Sequence, residues 1–378
     1  MKHLLTFLLF AAFHADLSAA RHVAFEVDVF NGTFPVDHSA NAVFSPLSAE
    51  IDCVVASEAM DTISRASVAE SMGVLVEFVG VYRPIMESYA RRDAALRVTS
   101  ARGFCVPELR GAFPDCLQLL QREYGAEVMP AFPTVGAESW FRTAMDGIMD
   151  DFRISLSAAD GDSYSFYDLI SVDVAWAEPF PTANSRDLAF TCANGTVRKL
   201  PFMSDVRVAD IWDAREYTLL RIDLKGDLEF FAMLPKEGLD LSIVRQDFSF
   251  VEIDMLLSVT TQRDLRGTYH GPAAIVLPRL EMMSRIDLMR ALVKLRLSLS
   301  SLVRLVGTTP PREYVQQMRF RLAEHGRGEE PLVEKPKDKQ VGIAADTKKM
   351  VLNRPFLFFV HDRETRTIPA AGIFTGID

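Results

Sequence analysis

Several things are scarce in this sequence, and each scarcity excludes something. There are 4 cysteines in 378 residues: Cys53, Cys105, Cys116 and Cys192. Their spacing suits no metal site, and if they pair, three connectivities are open. After the first stretch of chain no uninterrupted apolar run reaches the length of a membrane-crossing helix, so no later membrane span is expected. No long basic run stands out, and the formal charge is -10 at pH 7. Nothing therefore favours nucleic acid, and the acidity reads as solubility. The 7 histidines are scattered, without an HExxH or His-x-Cys spacing. Glycine-rich phosphate loops are absent, since Gly267 and Gly271 flank nothing helical. An enzyme needs converging acid, base or nucleophilic groups. Ser45, followed by Pro46 in an apolar, strand-like context, reads as a packing serine. The chain is read as a non-enzyme with no catalytic residue, no cofactor and no metal.

What is present is apolar substance. Hydrophobic residues make up 49%, ample for one large core or two ordinary domains. Met1-Lys2-His3, the apolar Leu4 to Phe13 and the small Ser18-Ala19-Ala20 have the order of a secretory signal cut after Ala20. That predicts a secreted, extracellular protein, residues 21–378 forming the mature domain. Two glycosylation sequons suit this compartment, Asn31-Gly32-Thr33 and Asn194-Gly195-Thr196, both in turn-like polar stretches. A first short helix or strand is expected over 21–30. Ala49 to Leu75 reads as helix, with Ile51, Val54, Val55, Ala59 and Met60 on one face, and Glu77 to Ala95 as shorter helical structure. Leu96 to Val106 reads as strand, Pro114 to Tyr124 as a helix ending before Gly125, and Ser139 to Phe152 as a helix presenting Trp140, Ala144, Ile148 and Phe152. From Asp168 strands dominate: Leu169–Trp176, Leu188–Cys192, Tyr217–Leu224, Leu228–Leu234 and Ala273–Leu280. A helix over Arg285–Leu297 follows. With no βαβ rhythm and no repeat, the class is α+β with largely antiparallel sheets.

The most informative stretch runs from Tyr314 to Phe359. Met318, Phe320 and Leu322 alternate with polar residues, a half-buried strand. Phe356-Leu357-Phe358-Phe359-Val360, bounded by Pro355 and His361-Asp362-Arg363, is a second. The roughly thirty residues between them hold hardly any apolar residue before Val341, and a loop so long is functional or disordered. A strand, an acidic-glycine hinge (Glu324-His325-Gly326), a bait loop and the strand opening Asn353-Arg354-Pro355-Phe356 resemble the reactive-centre region of the serpins. The same resemblance recurs, in order, in Asn41-Ala42-Val43-Phe44-Ser45-Pro46-Leu47-Ser48, in Trp176-Ala177-Glu178-Pro179-Phe180, and in the strand ends Phe230–Pro235 and Ile275–Leu280.

The resemblance implies a serpin fold of about three largely antiparallel sheets and eight or nine helices, with an exposed reactive-centre loop over about 324–352. It implies a monomer that meets a protein partner, a serine protease or another extracellular protein, and no required disulfide, so all four cysteines are read as structural. Ser45, Ser48, Asp168, Trp176 and Gln316 fall where the family governs sheet opening. An inhibitor's loop, once cut, becomes a central strand of its own sheet, buried on both faces. Here the hinge continues Arg327-Gly328-Glu329-Glu330-Pro331, where family inhibitors are rich in threonine and alanine. Charges and proline oppose insertion, and the arginine resembles ovalbumin-like members, which do not inhibit. The family's hinge-to-bond spacing, taken from Glu324, places the bait bond at Gln340–Val341; counting back from Pro355 ends near Ala344. Gln316 stands where the family has histidine and Asp168 where it has asparagine, drift that suits a rapidly diverging viral or parasite-derived member. The expectation is a secreted, non-inhibitory serpin-like glycoprotein acting by binding. The alternative is a suicide inhibitor of an extracellular trypsin-like serine protease.

Overall fold

The computed structural model describes residues 25–33, 39–72, 79–91, 96–107, 112–154, 163–242, 268–299, 301–307, 311–326 and 347–377. The described elements, in chain order, are a helix α1 over 25–33, β1 (Ala42–Phe44), α2 (Pro46–Glu58), α3 (Thr62–Met72), α4 (Val79–Arg91), β2 (Leu96–Val106), α5 (Pro114–Tyr124), β3 (Ala126–Pro130) and α6 (Thr134–Ala144). They continue with β4 (Tyr164–Val174), β5 (Arg186–Thr191), β6 (Val197–Asp213), β7 (Tyr217–Asp223), β8 (Leu228–Pro235), β9 (Thr268–Pro278), β10 (Leu280–Asp287) and α7 (Met289–Lys294). The last four are β11 (Pro311–Leu322), β12 (Lys348–Val351), β13 (Phe356–Asp362) and β14 (Thr367–Phe374).

The described strands form two hydrogen-bonded sheets. One runs β10-β11-β4-β2-β3; the other runs β1-β14-β13-β8-β7-β6-β9-β12, with β5 also on β6. The second merges what the sequence suggests as separate sheets, because the 17-residue β6 pairs β5, β9 and β7 along its length. Every residue of β8 and β13 is buried, as apolar runs with neighbours on both edges require. Their rings stack across the strands, Phe231 on Phe359 at 4.7 Å between centroids. Gly372 on β14 lies under Phe358: a β-carbon there would stand 2.6 Å from that ring.

Helix α2 lies inside the molecule, and all its residues are buried. Ser45, expected in strand-like context, instead caps it, its hydroxyl accepting the Ser48 amide at 3.1 Å, with Pro46 opening the helix. Burial on every side explains why the one-faced apolar pattern read from the sequence is incomplete. Its internal acids are each bonded: Glu50 accepts from the Tyr82 hydroxyl at 2.6 Å, Asp52 from Tyr314 at 2.7 Å, and Glu58 from Arg65 at 2.8 Å.

Strand β2 and helix α5 fall where the sequence puts them. Gly125 ends α5 with φ of 63° and donates to the Gln121 carbonyl. The expected Ala49–Leu75 helix is two, broken at 59–61. The expected Ser139–Phe152 helix begins earlier and stops at Ala144, where Asp146 and Gly147 take positive φ. Its buried face is accordingly Ala137 and Phe141, continued by Met145, Met149 and Phe152, with Trp140 and Ile148 only partly buried. The expected Arg285–Leu297 helix shrinks to Met289–Lys294, since β10 extends to Asp287. All four cysteines are buried and free.

Candidate functional site

Two of the residues expected to bear on sheet opening, Asp168 and Gln316, stand in one row with Arg102 across three strands. In register, Arg102 of β2 stands opposite Asp168 of β4, and Asp168 stands opposite Gln316 of β11. Directly opposed residues share a sheet face, and this face meets the N-terminus of α2. Gln316 Oε1 accepts the Ser45 amide at 2.6 Å; its Nε2 donates to the Ser45 carbonyl at 3.2 Å and to Asp168 Oδ2 at 2.9 Å. Arg102 Nη2 donates to Ser48 Oγ at 3.0 Å, and its Nε lies 3.2 Å from Asp52 Oδ1. Arg102 is 5% exposed and Asp52, Asp168 and Gln316 1% or less. Burial, with the Asp168 carboxylate beside it, pushes the Asp52 carboxyl well above the usual range. Thus Ser45, Ser48, Asp168 and Gln316, singled out from sequence, do come together. Arg102, Asp52 and Tyr314 complete the cluster and were not singled out. Asp52 lies one turn after Ser48 on the helix, and Tyr314 two residues before Gln316 on the strand, so a shared face was readable locally. Arg102 carried no local signal.

In the five-stranded sheet, β11 and β4 pair in parallel from Pro311/Tyr164 to Arg321/Asp173. Any strand entering between them breaks that pairing, and the Gln316–Asp168 bond with it. Trp176 lies just beyond β4, fully buried, with Phe180 at 5.1 Å and Phe230 at 5.4 Å between centroids. The Arg207 guanidinium sits 3.3 Å from the centroid of Phe180, a cation–π contact.

The hinge begins just past β11. Glu324, 3% exposed, accepts from Arg279 Nη2 at 2.7 Å and Nε at 2.9 Å, and from the Ser185 hydroxyl. Burial alone would raise its carboxyl, but the bonds from Arg279 and Ser185 hold it below the ordinary value. Its own carbonyl accepts the Phe180 amide at 3.0 Å, so the hinge is joined to the Trp176 turn. Gly326 has φ of 75°, and a β-carbon there would meet Ala175 Cβ at 2.5 Å; glycine alone fits. Arg327, Glu329, Pro331, Gln340 and Val341 lie outside the described residues. Lys348 falls inside the stretch expected as exposed loop over 324–352, but residues 348–351 form β12 on β9, and Lys348 donates to Asp213 at 2.6 Å. Lys236 binds the same carboxylate at 2.9 Å, and these two partners hold Asp213 well below the usual carboxylate range.

The two sequons differ. Asn31 is not in a turn: it sits in α1, half-buried, and Gly32 packs on Ala291. Asn194 is exposed in the turn before β6, and its Oδ1 accepts from the Thr196 amide at 3.0 Å and hydroxyl at 2.7 Å. Among the described residues no group of three or more His, Cys, Asp or Glu is placed to hold a metal ion, and no helix is long and apolar enough to cross a membrane.

Solved structures share this fold at low identity. Native protease nexin-1 with heparin is 15% identical, covers 94% of this chain and 98% of its own, and superposes with a TM-score of 0.78. Tengpin, a thermophilic serpin in its native state, is 17% identical over 94% and 93%, with a TM-score of 0.80. Uncleaved ovalbumin is 16% identical over 95% and 99%, at 0.78. Thyroxine-binding globulin in complex with thyroxine is 17% identical over 95% and 98%, at 0.76. No curated protein matches the chain by sequence. The family model described as "Serpin (serine protease inhibitor)" matches residues 21–376. With that match over nearly its whole length, and with the paired β4 and β11 leading to the Glu324–Gly326 hinge, the chain belongs to the serpin family.

Proposed function

We propose that this serpin is a secreted glycoprotein that acts by binding a protein partner and does not trap proteases. The observation that carries the reading is the hinge sequence Arg327-Gly328-Glu329-Glu330-Pro331. Inserted as a strand, it would set Arg327, Glu329 and Pro331 on one face and Gly328 and Glu330 on the other. Unpaired buried charge costs several kcal/mol, and a central strand has no place for proline. The buried row adds support, since entry of a strand must also break the Gln316–Asp168 bond. A rise of about 2.7 kcal/mol in the insertion barrier slows it roughly a hundredfold, and hydrolysis of the acyl-enzyme then wins. One feature favours the alternative, a suicide inhibitor of an extracellular trypsin-like protease. Strands β4 and β11 are adjacent and parallel, the pair an inserting loop would part.

Incubation with trypsin-like and chymotrypsin-like enzymes, read on a denaturing gel, separates the two. The expected result is a cut chain and no band at the summed mass. Such a band at near-equimolar ratio refutes the reading. The bait bond at Gln340–Val341 is tested separately, by mass spectrometry after exposure to a range of proteases, and a cut confined to Lys348 or Lys349 rejects it. A variant with Arg327→Thr, Glu329→Ala, Glu330→Ala and Pro331→Ala gains trapping if the hinge is the obstacle. Export is supported by the charged, apolar, small order of residues 1–20, and glycosylation at Asn194 by its exposed turn. Mature protein beginning near Arg21, with a glycan lost in Asn194→Gln, is the expected product; intracellular protein retaining Met1 contradicts it.

A further inference from the structure

A cavity of about 150 Å³ lies against the buried row, walled by α2, α4, β2, β4 and β14. Ile51, Met86, Val98 and Ile170 supply apolar wall, Ser48 and Arg102 stand at its inner end, and Ser100, exposed, marks its mouth. An apolar cavity of about this size stays dry and takes one benzene-sized molecule. This one differs in having a polar end. Arg102 is already set between Asp52 at 3.2 Å and Asp168 at 3.9 Å. The guanidinium already has an acidic side chain on either side, so a charged ligand of either sign would lose its water against apolar walls without meeting an unmatched counter-charge. What fits is a neutral body with one oxygen. Ser48 Oγ accepts from Arg102 at 3.0 Å and keeps its own proton to donate.

We propose that this cavity binds a small neutral lipophile of phenol size carrying one hydroxyl or carbonyl oxygen, the oxygen at Ser48 and Arg102 and the apolar body against Ile51, Met86 and Ile170. The occupant would tie α2 and α4 to β2 and β4, the strands of the row.

The test is calorimetric titration of the intact chain with phenol, benzene and benzoate. Phenol is expected to bind saturably at roughly 0.1–1 mM, within what so few atoms can supply, several-fold tighter than benzene and at least tenfold tighter than benzoate. Val98→Phe, at a partly exposed wall position, is expected to weaken phenol tenfold or more. A methyl-labelled methionine spectrum of the unmutated chain provides an independent readout, in which phenol is expected to shift the Met86 signal, assigned with Met86→Leu. Benzoate binding as tightly as phenol overturns the ligand class. An unmoved Met86 signal overturns the site, as does unchanged phenol affinity in a folded Val98→Phe.

Discussion

Replacing Gln316 by alanine tests the central claim, that a polar row holds β4 to β11. The side chain is 1% exposed and makes three hydrogen bonds, to the Ser45 amide, the Ser45 carbonyl and Asp168. The Ser45 carbonyl also accepts the Ala49 amide, so truncation orphans chiefly the Ser45 N–H and one Asp168 oxygen. Each buried orphan costs about 1–3 kcal/mol, more for a charged group, so the expected loss is about 4 kcal/mol from urea unfolding. Gln317→Ala is the control. Its side chain lies on the opposite face and, among the described residues, donates to the Met283 sulfur at 3.9 Å, so the loss expected there is under about 1 kcal/mol. The bond across the strands is charge-assisted and worth about 1.5–3 kcal/mol, so in Gln316→Ala the strands should part tenfold more often or better. Hydrogen exchange along β4 and β11 reads this directly. A Gln316→Ala protein within about 1 kcal/mol of the unmutated chain, with unchanged exchange in those strands, refutes the reasoning.

Three further outcomes follow from the geometry. Gly326→Ala should lose about 2 kcal/mol or more, from its positive φ and the 2.5 Å approach to Ala175; a change under about 0.5 kcal/mol on thermal unfolding contradicts the fit. Burial, with Glu50 and Asp362 near, raises the Glu26 carboxyl well above its ordinary 4.5. Its stabilising protonation is therefore complete below the ordinary value and lost as pH rises through the raised one. Glu26→Gln, which keeps an acceptor for the Ile368 amide, should flatten the fall in urea midpoint as pH rises above the ordinary 4.5, and an unaltered slope counts against it. The four buried thiols, with burial pushing Cys105 up to about 12, should resist a thiol reagent until denaturant is added, and a reductant should leave the melting temperature unchanged. A melting temperature that falls on reduction reveals a disulfide.

What the chain alone determined is what lies in short-range pattern. The alternation of β11, the apolar run of β13, the strand β2 and the helix stopped by Gly125 are dictated by neighbours a few residues apart, and each stands where those neighbours put it. The order of the motifs from Asn41 to Phe356 carried the family. Asn41 turns out to clamp the far end of the chain, its Oδ1 accepting the Thr375 and Gly376 amides. Tertiary structure decided the rest. Helix α2 hides its acids because sheets and helices surround it, which no period within Pro46–Glu58 can announce. Strand β6 opens on the mostly exposed Val197–Pro201, paired with its hairpin neighbour β5, and is carried on to Trp212 by pairing with β9, a partner distant in sequence. Arg279 meets Glu324, and Arg102 meets Asp168 and Asp52, across separations of tens of residues. Those pairings depend on strand register and on the charge balance of a closed interior, and both exist only once the chain has folded.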